Sequence, residues 1–245
     1  MAYTLGSNTD WAATCSKRAV VPLADRFAAL ILLPVVAAIL AILFPVVLAL
    51  QGRPFLYCSI RMSSCNEEFT LWKIRTMAPS YGKDCAVLGG HLAKEVTPVG
   101  GLLRKLRFDE LPQIFNVLAG DMRFIGPRPP LPKYVKDYPE LYGAVLQSRP
   151  GITGLATVML HRREQRLLSR CISAEEADQL YREHCIPRKA RLDLLYQSRR
   201  SMALDLFILG RTLSGLLPKL RKRRPPTYKR PASTAVLRAI EPRRV

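Results

Sequence analysis

The sequence predicts an α-rich α+β protein that is attached to a membrane. Residues 27–50 are 24 consecutive positions without a charged or hydrogen-bonding side chain, which is long enough for a membrane helix. The chain carries 38 Lys and Arg against 19 Asp and Glu, so its net charge is +19 and its partners should be polyanions. After the apolar run, short β-type segments give way to helical spacing, which predicts a small sheet followed by helices.

Two polar segments precede the apolar run. Residues 1–16 are predicted to be a flexible N-terminus, and residues 17–26 a basic lead-in to the membrane. As one straight helix the run would be about 36 Å long, against a hydrocarbon core of roughly 30 Å. A cleaved signal peptide is disfavoured, because the run is too long and no small-residue cleavage site follows it. The segment can therefore cross a bilayer, or enter it and leave again.

The flanks and the interior of the run bear on its topology. Basic residues lie on both sides, so both ends look cytoplasmic. Pro34 and Pro45 each remove a backbone donor and favour a bend, which suits a broken, re-entrant helix whose ends stay on one face. Prolines are also tolerated in spanning helices, so the residues alone support the re-entrant and spanning forms equally. The flanking basic residues are Lys17, Arg18, Arg26, Arg53, Arg61, Lys73 and Arg75.

The segment after the apolar run predicts a small β-hairpin. Two β-type stretches, 55–60 and 69–74, surround a polar turn at 63–66. Residues 78–101 contain five glycines and two prolines, so much of that segment is predicted to be loop.

Helical spacing returns at 111–118, where apolar residues recur every three or four positions. Gly120 supplies a stop, and Asp109 lies where this helix should begin. Segment 124–132 holds four prolines, which exclude a regular helix. Segment 148–158 is a Pro and Gly turn that leads into a short β-type run.

The C-terminal part is predicted to be helical with a basic tail. Residues 173–185 form a helix that Ser173 caps. Residues 192–217 mix apolar residues with arginines, which is typical of an amphipathic helix at a membrane surface. Between positions 219 and 230 the chain has seven basic residues and no acid, so the tail should be disordered and bind anionic lipid rather than nucleic acid.

The six cysteines are scattered without a C-x-x-C pair, and the three histidines are far apart. This pattern predicts neither a zinc site nor a disulfide framework. Free thiols in a reducing cytosol are the expected state.

Asp109 and Glu110 are adjacent acids in a basic stretch. Such pairs are common at a helix start, where Asp caps the helix and Glu complements its dipole. Cations bracket this pair, however, and a carboxylate in that setting should have a lowered pKa and stay ionised. An ionised Asp can attack phosphorus, and a neighbouring Glu can hold Mg²⁺ or move a proton. The bracketing cations are Arg104, Lys105, Arg107, Arg123 and Arg128.

Other polar and aromatic positions are assigned more ordinary roles. Asp121 is predicted to serve a turn rather than a metal ion, and His161 to be a solvated surface residue. Trp72 and Tyr57 are either interfacial anchors or packing residues of the hairpin.

A long central motif and four shorter ones carry a family resemblance. The motif FDELPQIFNVLAGDMRFIGPRP, residues 108–129, resembles the signature of the bacterial sugar transferases, the monotopic polyprenyl-phosphate phosphoglycosyl transferases. The shorter matches come in the family's order, and together the motifs span roughly residues 17–217. They are LWKIRTM (71–77), TPVGGLLRK (97–105), RPGITGLATV (149–158) and LDLFILGRT (204–212).

The resemblance implies an enzyme that moves a phosphosugar from a nucleotide diphosphate sugar, usually UDP-linked, to polyprenyl phosphate. That reaction is the first membrane step in the assembly of exopolysaccharide, lipopolysaccharide or other glycoconjugates. It implies that Asp109 is the nucleophile of a covalent phosphosugar intermediate, and that Mg²⁺ is needed and is held by Asp109 and Glu110. The arginines implied to contact phosphate are Arg104 and Arg128, with Arg75 and Arg149 as further basic positions.

The resemblance also implies a monotopic protein with a re-entrant helix, whose catalytic domain lies on the cytoplasmic face of the bacterial inner membrane. Pro34 and Pro45 flank the expected bend near Ala38. After LATV the chain continues MLHRREQ, where many relatives have Gly-Arg, so the sugar is not indicated. The predicted parts are a flexible N-terminus (1–16), the lead-in and re-entrant membrane helix (17–52), a catalytic domain with interfacial helices (53–217) and a basic tail (218–245).

Two alternatives and one question stay open at this point. The chain could be an inactive membrane-associated scaffold that binds anionic lipid or nucleic acid, or a single-step transferase in which Asp109 only binds metal. Whether it works as a homodimer is not indicated by the sequence.

Overall fold

The computed structural model describes residues 21–78, 96–169, 171 and 173–216. The flexible N-terminus, residues 17–20 of the basic lead-in and the tail 218–245 lie outside the described residues. The helices are α1 (Leu23–Gln51), α2 (Pro98–Leu106), α3 (Gln113–Ala119), α4 (Pro132–Asp137), α5 (Pro139–Val145), α6 (Leu155–Leu168), α7 (Ala174–Leu180), α8 (Ile186–Ser198) and α9 (Met202–Leu216). The strands are β1 (Leu56–Met62), β2 (Glu68–Ile74), β3 (Arg123–Ile125) and β4 (Gly151–Thr153). The predicted helix-rich fold with an N-terminal apolar helix and a small hairpin is confirmed.

Helix α1 is continuous over 29 residues and includes both Pro34 and Pro45. The predicted break is therefore not confirmed, and both prolines are accommodated within one helix. It is long and apolar enough to cross a membrane, and within the described residues it is the one helix of which this holds. Many of its large apolar side chains are exposed, which is unfavourable in water and suits a lipid environment. They include Leu23, Phe27, Leu30, Ile31, Val35, Ile42 and Leu50.

One face of α1 packs against the rest of the protein along much of its length. The first half contacts an apolar cluster formed by the hairpin and α3, and the second half contacts Ile74 and Leu103. Polar contacts hold each end, since Asp25 pairs with Arg123 at 2.8 Å and Arg75 binds the backbone carbonyl of Gln51 at 2.5 Å. The packing residues on α1 are Ala29, Leu33, Val36, Leu40, Leu43 and Val47.

The predicted hairpin is present as β1 and β2, which pair in antiparallel register from Leu56 with Ile74 to Met62 with Glu68. The free edge of β2 is covered by the side chain of Asn116 in α3. Its Oδ1 accepts from the backbone amide of Trp72 at 3.2 Å, and its Nδ2 donates to the carbonyl of Thr70 at 2.8 Å. This amide satisfies two strand groups and fixes α3, and with it the preceding turn, against the hairpin.

Strands β3 and β4 are parallel, with Arg123 opposite Gly151 and Ile125 opposite Thr153. The two segments approach so closely that a Cβ on Gly154 would lie 2.1 Å from the carbonyl oxygen of Gly126. Glycine is therefore required there, and the contact fixes the loop after β3.

The β-type run predicted within 148–158 is only partly correct, because β4 has three residues and α6 begins at Leu155. Within the described residues β4 pairs only with β3, so an extended Leu155–Val158 would have little to pair with. As a helix, Leu155 and Val158 pack with Tyr196 and Ile208 instead.

The helix predicted over 173–185 is present, whereas the helix predicted over 192–217 is divided between α8 and α9, because residues 199–201 are not helical. The Ser173 side chain accepts from the backbone amide of Glu176 at 3.1 Å, so it caps α7 as expected. The chain then continues through a π-helical turn, Tyr181–Cys185, into α8. Helix α9 exposes a row of apolar side chains, as an interfacial helix would. They are Met202, Leu206, Phe207, Leu209 and Leu213.

The cysteine prediction needs one correction. Cys65 takes part in a disulfide, and its partner is not among the described residues. Cys58, Cys171 and Cys185 are free, as expected. Spacing alone did not reveal the pair, because a single disulfide needs no recognisable motif.

Candidate active site

The two acids lie in a short turn between α2 and α3, not at a helix cap. Helix α2 ends at Leu106, Arg107 takes the left-handed conformation with φ of 59°, and Phe108–Glu110 form one 3₁₀ turn. The N-cap position of α3 is Pro112, without a side-chain hydrogen bond. Neither acid caps α3, so the capping explanation for the pair loses its support and another reason is needed for two buried acids.

Glu110 is 7% exposed and is surrounded by cations. Its Oε1 lies 2.6 Å from Nη2 of Arg128 and 3.9 Å from Nζ of Lys73, and its Oε2 lies 2.8 Å from Nη2 of Arg107. Burial by itself raises the pKa of Glu110, but Arg128, Arg107 and Lys73 together hold it below its usual range. Glu110 is therefore a fixed anion, as predicted.

Asp109 is equally buried, at 8% exposure, but is in the opposite situation. Among the residues that the structure describes, none forms a hydrogen bond or an ion pair with its carboxylate. Burial and the neighbouring Glu110 raise the pKa of Asp109, and the charges of Lys73 and Arg104 oppose this only in part. The expected lowering of the pKa therefore holds for Glu110 and is wrong for Asp109.

Lys73 was not among the predicted site residues, although it lies in the LWKIRTM motif. It is on β2, on the same face of the strand as Phe69 and Leu71, whose side chains are buried in the core. A lysine on the buried face of a strand is a signal that the sequence offered. Burial and Arg128 lower the pKa of Lys73 to about 7, while Glu110 and Asp109 act in the opposite direction.

Two of the four predicted phosphate-binding arginines are at this site. Arg128 lies two residues after Gly126, whose backbone is in close contact with Gly154, and it pairs with Glu110. Arg104 donates through Nε to the hydroxyl of Thr76 at 2.8 Å, and burial lowers its pKa while the charge of Asp109 raises it. Arg107, predicted only as one of the cations that bracket the acids, contacts Glu110, and its left-handed backbone conformation has no signature in sequence.

The other two predicted arginines contact protein groups. Arg75 is 6% exposed and donates to the backbone carbonyls of Gln51, Gly52, Pro54 and Met77. Arg149 pairs with Glu67 at 3.0 Å. Neither pairs with Asp109 or Glu110, so their binding to phosphate stays a prediction. The hydrogen bonds of Arg75 satisfy backbone carbonyls at the C-terminal end of α1.

The more ordinary assignments fare as follows. Asp121 accepts from Nδ2 of Asn116 at 3.0 Å in the turn after α3, as predicted for a turn residue. His161 is exposed on α6. Trp72 and Tyr57 lie on the hairpin and are 40% and 36% exposed, so neither is a fully packed core residue.

The carboxylates suit Mg²⁺ in kind and in number. The described residues contain no group of three or more His, Cys, Asp or Glu side chains that could hold a metal ion. Mg²⁺ commonly takes one or two carboxylates and completes its shell with water and substrate phosphates. Asp109 has an unpaired carboxylate for this, whereas Glu110 would have to share oxygens that already contact arginine.

The arrangement can bind a phosphate and attack it. Lys73, Arg104 and Arg128 supply positive charge around the Asp109 carboxylate, which has no bound partner among the described residues, and Arg107 adds charge at Glu110. An anionic ligand would be attracted to these cations and would meet Asp109 among them.

Comparisons with known proteins agree with the motif resemblance. The model of a family described as bacterial sugar transferase matches residues 16–219. An uncharacterized sugar transferase of Bacillus subtilis, EpsL, is 34% identical over 195 residues, which are 79% of this chain and 85% of that protein.

Two relatives with stated activities are longer proteins. The UDP-glucose:undecaprenyl-phosphate glucose-1-phosphate transferase of Klebsiella pneumoniae is 32% identical over 65% of this chain and 35% of its own length. The undecaprenyl-phosphate glucose phosphotransferase of Komagataeibacter xylinus is 32% identical over 77% of this chain and 34% of its own length. The chain thus spans about a third of these two relatives.

Proposed function

Because the chain belongs to the bacterial sugar transferase family, we propose that it transfers a phosphosugar from a nucleotide diphosphate sugar, UDP-linked, to polyprenyl phosphate. The names of the relatives from Klebsiella and Komagataeibacter, which specify undecaprenyl-phosphate transferases, support this reaction class. The product would begin the assembly of exopolysaccharide or another surface glycoconjugate on the membrane.

One observation carries the mechanism. Of two adjacent and equally buried carboxylates, Glu110 contacts three cations, whereas Asp109 forms no hydrogen bond or ion pair with any of the described residues. Glu110 can therefore hold Lys73, Arg107 and Arg128 in place, and Asp109 keeps its oxygens for the substrate. This division of roles suits covalent catalysis better than metal binding alone.

The proposed reaction has two steps. In the first, a carboxylate oxygen of Asp109 attacks the β-phosphorus of the donor, and the bond from that phosphorus to the bridging oxygen breaks. The bridging oxygen keeps the electron pair and leaves as part of the nucleoside monophosphate. In the second, an oxygen of polyprenyl phosphate attacks the same phosphorus, and the Asp109 carboxylate leaves with its electrons. The lipid then carries a diphosphate-linked sugar.

The cations stabilise the charge that develops in both steps. Lys73, Arg107 and Arg128 are already oriented by Glu110, so little reorganisation accompanies substrate binding. Lys73, Arg104 and Arg128 also oppose the burial that raises the pKa of Asp109, which keeps more of the nucleophile ionised. Asp109 and Glu110 are the residues that would hold Mg²⁺, and the bound ion would neutralise part of the diphosphate charge.

We propose further that the protein is monotopic, with both ends of α1 on the face of the membrane that carries the catalytic domain. A helix of 29 residues is about 43 Å long. In a spanning arrangement its N-terminal end would lie on the far face, and the contact between Asp25 and Arg123 would be broken. The net charge of +19 and the exposed apolar face of α9 favour contact with anionic lipid at the cytoplasmic face of the bacterial inner membrane.

Labelling with an impermeant maleimide tests this topology. Two variants would each keep one cysteine, Cys15 before α1 or Cys58 in the catalytic domain, with the other cysteines changed to serine. We expect both to resist labelling in intact spheroplasts and to react after lysis. Labelling of Cys15 alone in intact spheroplasts would indicate a spanning helix.

A screen of nucleotide sugars tests the reaction. The full chain in nanodiscs is incubated with each nucleotide sugar, with and without polyprenyl phosphate, and nucleoside monophosphate is measured. Sustained release that requires the lipid is expected for at least one UDP-sugar. Absence of release with the whole panel, from protein that retains its fold and its membrane association, would favour the inactive scaffold.

A further inference from the structure

A chain of hydrogen bonds joins the end of α1 to Arg104 on α2, the helix that precedes the catalytic turn, Phe108–Glu110. Thr97 Oγ1 donates to Oε1 of Gln51, the last residue of α1, at 2.6 Å. The backbone amide of Thr97 donates to the carbonyl of Thr76 at 3.1 Å. The hydroxyl of Thr76 accepts from Nε of Arg104 at 2.8 Å. The end of α1 is thus connected, contact by contact, to an arginine of the site.

The elements along this chain have little freedom to move apart. A Cβ on Gly100 would lie 2.1 Å from the carbonyl oxygen of Thr76, so α2 rests directly on the backbone after β2. Thr97 also caps α2, because its side chain accepts from the amide of Gly100 at 2.9 Å. Arg75, next to Thr76, binds the carbonyls that end α1. The orientation of Arg104 is therefore coupled to the position of the end of α1.

Arg104 differs from the other cations of the site in what it is attached to. Lys73, Arg107 and Arg128 all contact Glu110. Arg104 instead contacts Thr76, and its charge acts on Asp109. The cations near the nucleophile are thus of two kinds, those held by Glu110 and the one that is linked through Thr76 to the end of α1.

The two substrates reach the site from different surroundings. A nucleotide sugar arrives from water, whereas a polyprenyl phosphate is confined to the bilayer that the exposed face of α1 contacts. Its phosphate should therefore come to Asp109 past the end of α1. The side-chain nitrogen Nε2 of Gln51, at this end of α1, is buried and has no hydrogen-bond partner among the described residues. It is therefore a further donor at this position.

We propose that Thr76 is a positioning residue, which holds Arg104 toward the phosphate of the lipid acceptor, and that the end of α1 sets this position through Thr97. The inference rests on the proposed function. It assigns Arg104 to the second step of the reaction, in which the lipid phosphate displaces Asp109, and leaves the first step to the cations on Glu110.

Two substitutions of Thr76 test this assignment in nanodiscs. Thr76→Val removes the hydroxyl that accepts from Arg104 and keeps the volume, and Thr76→Ser keeps the hydroxyl. We expect Thr76→Val to raise the KM for polyprenyl phosphate about tenfold, the effect of one lost hydrogen bond to a charged group. The burst of nucleoside monophosphate released without lipid should stay within twofold of wild type, and Thr76→Ser should behave as wild type.

The outcomes separate this inference from the proposed function. A wild-type protein that releases no nucleotide would contradict the proposed function itself. With an active wild type, an unchanged KM for the lipid, or an equal loss in the burst and in lipid-dependent turnover, would overturn the role of Thr76. If Thr76→Val lowers the melting temperature, Gln51→Leu decides the question, because it leaves the contact between Thr76 and Arg104 in place and should raise the same KM to a smaller extent.

Discussion

In two regions of the molecule an acid is surrounded by cations, and the regions differ in whether a second carboxylate lies beside that acid. In the catalytic turn, Glu110 contacts Lys73, Arg107 and Arg128. In a second cluster, Asp178 on α7 accepts from Lys133, from the hydroxyl of Tyr134 and from Arg182, at 2.7, 2.6 and 2.7 Å. Asp178 has no acidic neighbour in sequence, whereas Glu110 has Asp109 beside it.

The contrast separates a structural cluster from a functional one. The contacts of Asp178 join α4 to α7, and Arg182 extends them to Asp137. Burial tends to raise the pKa of Asp178, but these hydrogen bonds lower it to about 2, so the acid is saturated by partners. In the catalytic turn the same kind of cluster leaves one buried carboxylate unpaired, with its pKa raised. Unpaired buried charge is costly to a fold, and it is retained here beside cations that can bind a substrate.

The largest expected effect is that of Asp109→Asn. Loss of the nucleophile should lower nucleotide release by at least about a thousandfold. The raised pKa means that ionisation of Asp109 destabilises the folded state as the pH rises through that pKa, so the amide should leave the melting temperature at pH 7 unchanged or higher. Turnover is followed in nanodiscs and melting by circular dichroism. Activity within tenfold of wild type would exclude Asp109 as the nucleophile and would support a role limited to metal binding.

Glu110→Gln should have the next largest effect. The amide keeps the shape but removes the charge that orients Lys73, Arg107 and Arg128, so we expect a loss of activity of about a hundredfold. Because those cations stay buried without their anion, the melting temperature should fall as well. Asp178→Asn is the matched control, and similar losses of activity in both variants would remove the distinction between the two clusters.

The pH dependence of the first step should follow Asp109. Its pKa lies above the ordinary value of 3.8, and only the ionised form attacks, so the burst rate should fall as the pH decreases through that raised pKa. Glu110 and Asp178 have lowered pKa values and stay ionised in this range. Lys73, whose pKa is about 7, changes charge only in the upper part of this range, so the fall is read below pH 6 in burst rates measured between pH 4 and 8. A rate that stays constant down to the ordinary value would show that Asp109 is not the titrating nucleophile.

The smallest effect on activity is expected for Asp178→Asn. Loss of its charge-assisted contacts should destabilise the protein by about 1–2 kcal/mol, a figure that already allows for screening by solvent at this partly exposed site. Turnover should stay within twofold of wild type. Since the pKa of Asp178 is lowered, its contribution to stability is present above the unfolded pKa and is lost as the pH falls toward 2. Urea unfolding at pH 7 and at pH 3 measures this, and a difference between wild type and variant that is as large at pH 3 would contradict it.

Much of this organisation could be predicted from sequence where a local pattern was sufficient. The apolar run predicted α1, the alternating stretches predicted the hairpin, the charge context singled out Asp109 and Glu110, and the family resemblance added Arg104 and Arg128. Features that depend on distant packing were missed. The pKa is raised for Asp109 and lowered for Glu110 because of where Lys73 and Arg107 lie in the fold, which the sequence does not show. The hydrogen bonds of Arg75 to the end of α1 join groups more than twenty residues apart.

The central claim is that Asp109 forms a covalent phosphosugar intermediate, and mass spectrometry of the intact protein tests it most directly. Wild-type protein is incubated with the UDP-sugar that supports release, without lipid, and is quenched in acid. We predict an added mass equal to one phosphosugar, located on the peptide that contains Asp109, removed by polyprenyl phosphate and absent from Asp109→Asn. Lipid-dependent turnover without any adduct, or an adduct on another residue, would contradict the account.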